Sequence, residues 1–176
     1  STGLVEMSIY FAFGTFETYL PLFLSSKNIP PYLIRIIFSL QIVSIALTKP
    51  LFGKISDRID RRAQIISGII LMAISMVMLN FYSSLIYFIL ISLLFGLGLS
   101  ISTVATSSYV ADISSKKELG SSVGALSSIM DIGHSSGPFI SGIFIGSFSY
   151  LIGFSIPAIL IIIIALIFFI CNFKKK

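Results

Sequence analysis

Six stretches of this chain are apolar for about 20 residues each, the length of helix needed to cross the hydrocarbon core of a bilayer. In lipid every backbone N–H and C=O must be satisfied inside the chain, so stretches of this kind are restricted to helices. The spans read as residues 4–24, 32–52, 63–81, 85–111, 120–146 and 150–173. They predict an all-α integral membrane protein, one six-helix transmembrane bundle over residues 1–176. Only 11% of the 176 residues are charged and the mean hydropathy is +1.03. A soluble domain carries about 25% charged residues, so a soluble fold and a separate soluble domain are both excluded.

The breaks between spans are chemically distinct. Ser25 to Pro31 ends the first span, because neither Pro30 nor Pro31 can continue a helix. A charged loop, Gly53 to Arg62, separates the second from the third, and a second charged loop, Asp112 to Leu119, separates the fourth from the fifth. Those loops and the tail hold Lys49, Lys54, Arg58, Arg61, Arg62, Lys116, Lys117 and Lys174 to Lys176, whereas the opposite side holds Lys27 and Arg35. By the positive-inside rule this predicts cytoplasmic loops, both termini in the cytoplasm and a multi-pass protein of the cell membrane. The net charge of +5 is thus a topology signal, and nucleic acid is not an expected partner.

The spans differ in polarity. The third and sixth are apolar almost all round and read as helices exposed to lipid. On the fourth, Ser92, Gly96, Ser100, Thr103 and Ser107 share a face; on the second, Gln41, Ser44 and Thr48; on the first, Tyr10, Gly14, Glu17 and Pro21. Such stripes serve close helix packing or line a watery cavity. Tyr10, Gly14, Gly96, Ser100, Thr103 and Ser107 are the candidate cavity face.

Glu17, Asp131 and His134 are the ionisable residues deepest in their spans. A charge at the bilayer centre costs roughly 2.5–3.5 kcal/mol, so these side chains are expected to face a cavity or a partner. Asp131 and His134 are three apart and so neighbours on one helix. They and Glu17 are candidates for proton or substrate binding, with interhelical bonding the alternative for the pair. Glu6 and Arg35 lie near span ends and are expected to snorkel to the interface. One His, one Cys and scattered acids give no metal cluster, and no cofactor motif is present. No Gly-x-Ser-Gly precedes a late histidine, which argues against an intramembrane protease, and no enzymatic activity is expected.

Two motifs resemble those of one family. Gly53-Lys54-Ile55-Ser56-Asp57-Arg58-Ile59-Asp60-Arg61-Arg62 is similar to the Gly-x-x-x-Asp-Arg-x-Gly-Arg-Arg loop of the major facilitator superfamily; Gly53, Asp57, Arg58, Arg61 and Arg62 match, and Asp60 replaces glycine. Gly124, Gly133, Gly137, Pro138 and Gly142 resemble the Gly-x8-Gly-x3-Gly-Pro-x-x-Gly-Gly motif of the fifth helix of its drug/proton antiporters, with Ser141 in place of one glycine. Independently of the family, Asp57 suits the N-terminus of a neighbouring helix, Arg58 and Arg61 suit acidic groups or lipid phosphates, and Pro138 permits a kink.

The resemblance implies a six-helix half built of two inverted three-helix repeats. The first and fourth helices then line a cavity, the second and fifth face the other half, and the third and sixth face lipid. It implies a secondary transporter of a small-molecule substrate working by alternating access, with proton-coupled efflux or antiport favoured. Its partners are the lipid bilayer and the other six-helix half, from the same chain or a second copy. The lack of Arg or Lys between Leu85 and Ala111, and three lysines after the sixth span, favour the C-terminal half. A channel-like or non-transporting membrane protein, or an inactive fragment, is the alternative.

Overall fold

The computed structural model describes residues 2–56, 59–115 and 119–173. Asp57 and Arg58 of the loop motif, and Lys116 and Lys117, lie outside them. The described residues form helices α1 (Thr2–Ser26), α2 (Pro31–Ser56), α3 (Arg61–Met78), α4 (Leu85–Ile113), α5 (Leu119–Ser147) and α6 (Tyr150–Phe173), with no strand among them. Pro31 opens α2, the helix position where a missing N–H costs nothing. Asn28 sits at φ 61° in the preceding turn, a left-handed conformation that asparagine tolerates, and Ile29 N–H closes the end of α1 on the Leu24 carbonyl.

The charged loop is shorter than the sequence suggests. Gly53 to Ser56 belong to α2, and Arg61 and Arg62 already belong to α3. Asp60 caps α3: its carboxylate accepts the Arg62 N–H at 2.9 Å, at φ −60°. A helix cap at negative φ needs no glycine, which accounts for the departure from the family pattern.

Helices α2, α3, α4 and α6 are long and apolar enough to cross a membrane. The other two are diluted, α1 by Glu6 and Glu17, α5 by glycines, serines, Asp131 and His134. These two less apolar helices pack chiefly on each other, α3 packs on α4, and α2 on α4. Polar and small residues are therefore gathered in seams between helices.

Helices α3 and α6 are not apolar cylinders surrounded by lipid. Ile65, Ile69, Met72, Ala73 and Met76 of α3 are buried, and a Cβ at Gly68 or at Gly98 would come 2.7 Å from the other's carbonyl oxygen. On α6, Phe154, Ala158, Ile161, Ala165 and Phe168 are buried while Ile159, Ile163, Leu166 and Ile170 are exposed. Uniform hydrophobicity conceals which face of such a helix meets protein, because lipid and a protein core are equally apolar. Phenylalanines fill the centre: Phe16 stacks on Phe95 with ring centroids 3.8 Å apart, and Phe23 meets Phe88 and Phe154 edge-on at 5.9 Å. Along α2, by contrast, Ile36, Leu40, Val43, Leu47 and Leu51 form an exposed apolar face.

Candidate functional site

The α1–α5 seam brings together Gly14, Glu17, Gly133, His134, Gly137, Pro138 and Gly142. A Cβ on Gly133 would strike the Met7 carbonyl, one on Gly137 the Phe11 carbonyl, and one on Gly14 the His134 carbonyl. Pro138 has no N–H to give the His134 carbonyl four residues back. That oxygen, deprived of its i+4 N–H, is the one Gly14 lies against, where a Cα–H contact can supplement it. Further along, Thr15 and Ser141 hydroxyls meet at 2.9 Å and the Tyr19 hydroxyl donates to the Pro138 carbonyl at 3.0 Å. Gly142 lies beneath the Tyr19 hydroxyl, whereas Gly124 and Gly146 have open space where a Cβ would stand. Ser141, the departure from the glycine motif, is thus the residue that bonds Thr15.

The seam also carries a contact between two ionisable side chains. His134 Nε2 lies 2.8 Å from Glu17 Oε2, with the two side chains 42% and 49% exposed. Spacing alone pairs His134 with Asp131; the fold pairs it with a carboxylate on another helix. Asp131 is exposed on α5 one turn away. The Phe13 ring tilts against the imidazole at 5.4 Å between centroids, fixing one side of it. A carboxylate and an imidazole sharing one hydrogen bond, both open at one side, form a group able to accept and release a proton.

The stripe on α4 divides. Ser92, Gly96 and Ser100 are packing positions: Gly96 meets Gln41 and Ile45, and Thr48 donates to the Ser100 hydroxyl at 3.0 Å. Thr103 and Ser107 instead line a recess of about 290 Å³ with Tyr10, Lys49, Val104 and Ser108. Gly14 likewise belongs to a seam. Of the candidate cavity face, only Tyr10, Thr103 and Ser107 border open space in this bundle.

Glu6 departs most from expectation. In place of snorkelling to the interface it is 3% exposed, and its Oε2 has no hydrogen-bond partner among the described residues. The signal was present: the α1 face of Tyr10, Gly14 and Glu17 passes through Glu6 one turn earlier. Arg35 is exposed, as a snorkelling side chain is.

At the charged loop, Gly53 lies within α2, and Arg61 Nε meets Asp112 Oδ2 at 2.9 Å, tying the start of α3 to the end of α4. The Arg62 guanidinium stands 5.9 Å from the Tyr109 ring centroid. Asp112 is half exposed and Arg61 has further contacts. Asp112→Ala is therefore expected to change stability by less than ~1 kcal/mol, as measured by thermal unfolding in detergent.

Comparison with known proteins agrees with this arrangement. A stretch of 91 residues is 32% identical to an uncharacterized MFS-type transporter of Methanocaldococcus jannaschii, covering 52% of this chain and 24% of that protein. The chain thus matches about a quarter of that relative's length. The sequence profile of the Major Facilitator Superfamily matches residues 2–175. Glycine-locked apolar helices, the charged loop between α2 and α3 and a match over nearly the whole length establish that the chain belongs to the major facilitator superfamily, a family of multi-pass membrane transporters.

Proposed function

We propose that these six helices are one half, the C-terminal one, of a secondary transporter that moves a small solute across the cell membrane by alternating access, coupled to protons and working as an efflux antiporter. The Glu17–His134 contact across α1 and α5, with Asp131 one turn away, carries this reading. It sits on the seam where two helices must slide if the bundle rocks. Its protonation is thereby linked to the seam's geometry.

The helix pairings favour two inverted three-helix repeats. Exchanging α1 with α4, α2 with α5 and α3 with α6 turns the α1–α5 pairing into the α4–α2 pairing, and α3–α4 into α6–α1; all four are among the extensive contacts. The exposed apolar faces of α2 (Leu40, Leu47) and α5 (Ile132, Phe139) suit the other six-helix half, supplied by the same chain or a second copy. The basic ends of α2 and α3 favour cytoplasmic termini. The C-terminal assignment rests on α4 lacking Arg or Lys.

Full-length protein in sealed vesicles with an imposed pH gradient tests the reading, proton movement being followed as candidate solutes are added. Glu17→Gln and Asp131→Asn are each expected to abolish proton-linked flux. Normal coupling in both would overturn the assignment.

A further inference from the structure

The recess between α1, α2 and α4 is lined by Lys49, by Val104 and by four residues with hydroxyl groups, Tyr10, Thr103, Ser107 and Ser108. Lys49 precedes Ser56, the last residue of α2, by two turns of helix, roughly 10 Å of rise. A charge carried that far into a span is normally paired. Among the described residues, however, no carboxylate stands within ion-pair distance of Lys49. The hydroxyls of Tyr10, Ser107 and Ser108 make no hydrogen bond among the described residues either, whereas Thr103 donates to the Leu99 carbonyl at 2.7 Å. Two acids lie near without lining the recess: Glu6, whose carboxyl bonds to Thr106, is within electrostatic range of Lys49, and Asp131 is within range of Tyr10. The lining itself thus presents one cation, three uncommitted O–H donors and no acid.

We propose that this recess is a binding subsite for the carboxylate of a small organic anion carrying one negative charge. The ammonium of Lys49 and the free hydroxyls supply charge-assisted hydrogen bonds to the carboxylate oxygens, and Val104 offers an apolar contact for the carbon skeleton. A phosphate dianion carries more charge than one lysine balances, and neither an arginine nor a helix N-terminus contributes to the lining. The volume of about 290 Å³ is at the small end of ligand sites and suits a molecule of a few carbon atoms. The proposal rests on the transporter reading above for its purpose, and it names the substrate class.

The test reads binding without transport. The full-length protein, with Val104→Cys as its only cysteine and Cys171→Ser, is placed in leaky membranes of zwitterionic lipid, and alkylation by an uncharged maleimide is timed. The new thiol stands in the recess without removing a hydroxyl. The probes are acetate, lactate and benzoate, each beside its neutral amide, and inorganic phosphate. At least one carboxylate is expected to slow alkylation saturably, with at least about tenfold higher apparent affinity than its amide. Lys49→Met should erase that preference and Lys49→Arg should retain it. Glu6→Gln, which leaves the lining intact, should also retain it. An unchanged alkylation rate without probe shows that each variant is folded, and Lys49→Arg separates loss of charge from loss of the native side chain. Equal protection by acid and amide, protection by phosphate alone, protection by no probe, or a preference that survives Lys49→Met would overturn the proposal. Because no gradient is present, loss of proton-linked flux leaves this result untouched, and the two readings fail separately.

Discussion

His134→Gln in the full-length protein is expected to reduce proton-linked solute flux by about 10²-fold or more, the scale of losing a positioned proton-transfer group. Glutamine still offers a donor and an acceptor near Glu17, so the seam stays bridged, but it cannot carry the proton. The 2.8 Å contact makes Glu17 and His134 one unit, so their effects are not independent. Glu17→Gln combined with His134→Gln should therefore be no worse than either alone, where independent sites would multiply. Solute exchange at equal pH on both sides, which moves no net proton, should survive in all three variants. Loss of exchange along with flux would mark His134 as structural glue between helices. Multiplying effects would mean that the pair does not share a proton.

Gly137→Leu is expected to destabilise the protein by about 2–4 kcal/mol. The new side chain meets the Phe11 carbonyl, and backbone cannot retreat as a side-chain end can. Overpacking of this kind costs about 1–3 kcal/mol. Separating α1 from α5 also breaks the Thr15–Ser141 and Tyr19–Pro138 bonds, each worth roughly 0.6 kcal/mol in a membrane. The Glu17–His134 contact spans the same seam and goes with them. The total is a large share of the roughly 5–15 kcal/mol that holds a protein folded. Gly124→Leu is the reference, since nothing stands where its side chain would go, and it should stay within about 0.5 kcal/mol of the parent. Thermal unfolding in detergent gives the comparison. Equal losses at the two glycines would show that helix flexibility, not close approach, is what the glycine motif supplies.

That contrast also shows how far a motif can be read. Gly124, Gly133, Gly137 and Gly142 look equivalent in a spacing pattern, yet only at the last three does another helix stand where a Cβ would go. Spacing tells which residues share a helix face, and Thr103 and Ser107 indeed border one recess with Tyr10. It does not tell where along that face a neighbouring helix leaves off. Ser92, Gly96 and Ser100 belong to the same stripe and are buried, Gly96 and Ser100 beneath α2. Asp131–His134 was the evident pairing because helix neighbours at i and i+3 are the contacts a sequence displays. The partner that His134 takes, Glu17, is 117 residues away in the chain.

What the sequence determined by itself was set by the solvent. Long apolar stretches, prolines at Pro30 and Pro31 and the clustering of basic residues follow from the energetics of hydrocarbon and water, which act on every residue without regard to its neighbours in space. The helical class and the seams' small residues were legible for that reason, as was the motif-bearing loop. The tertiary structure alone decided which face of α3 and α6 meets protein, since lipid and protein core are equally apolar there. It also decided the fate of Glu6. A carboxylate near a helix end can reach the interface or be covered by neighbouring helices, and only the packing of the bundle decides that Glu6 is buried within electrostatic range of Lys49.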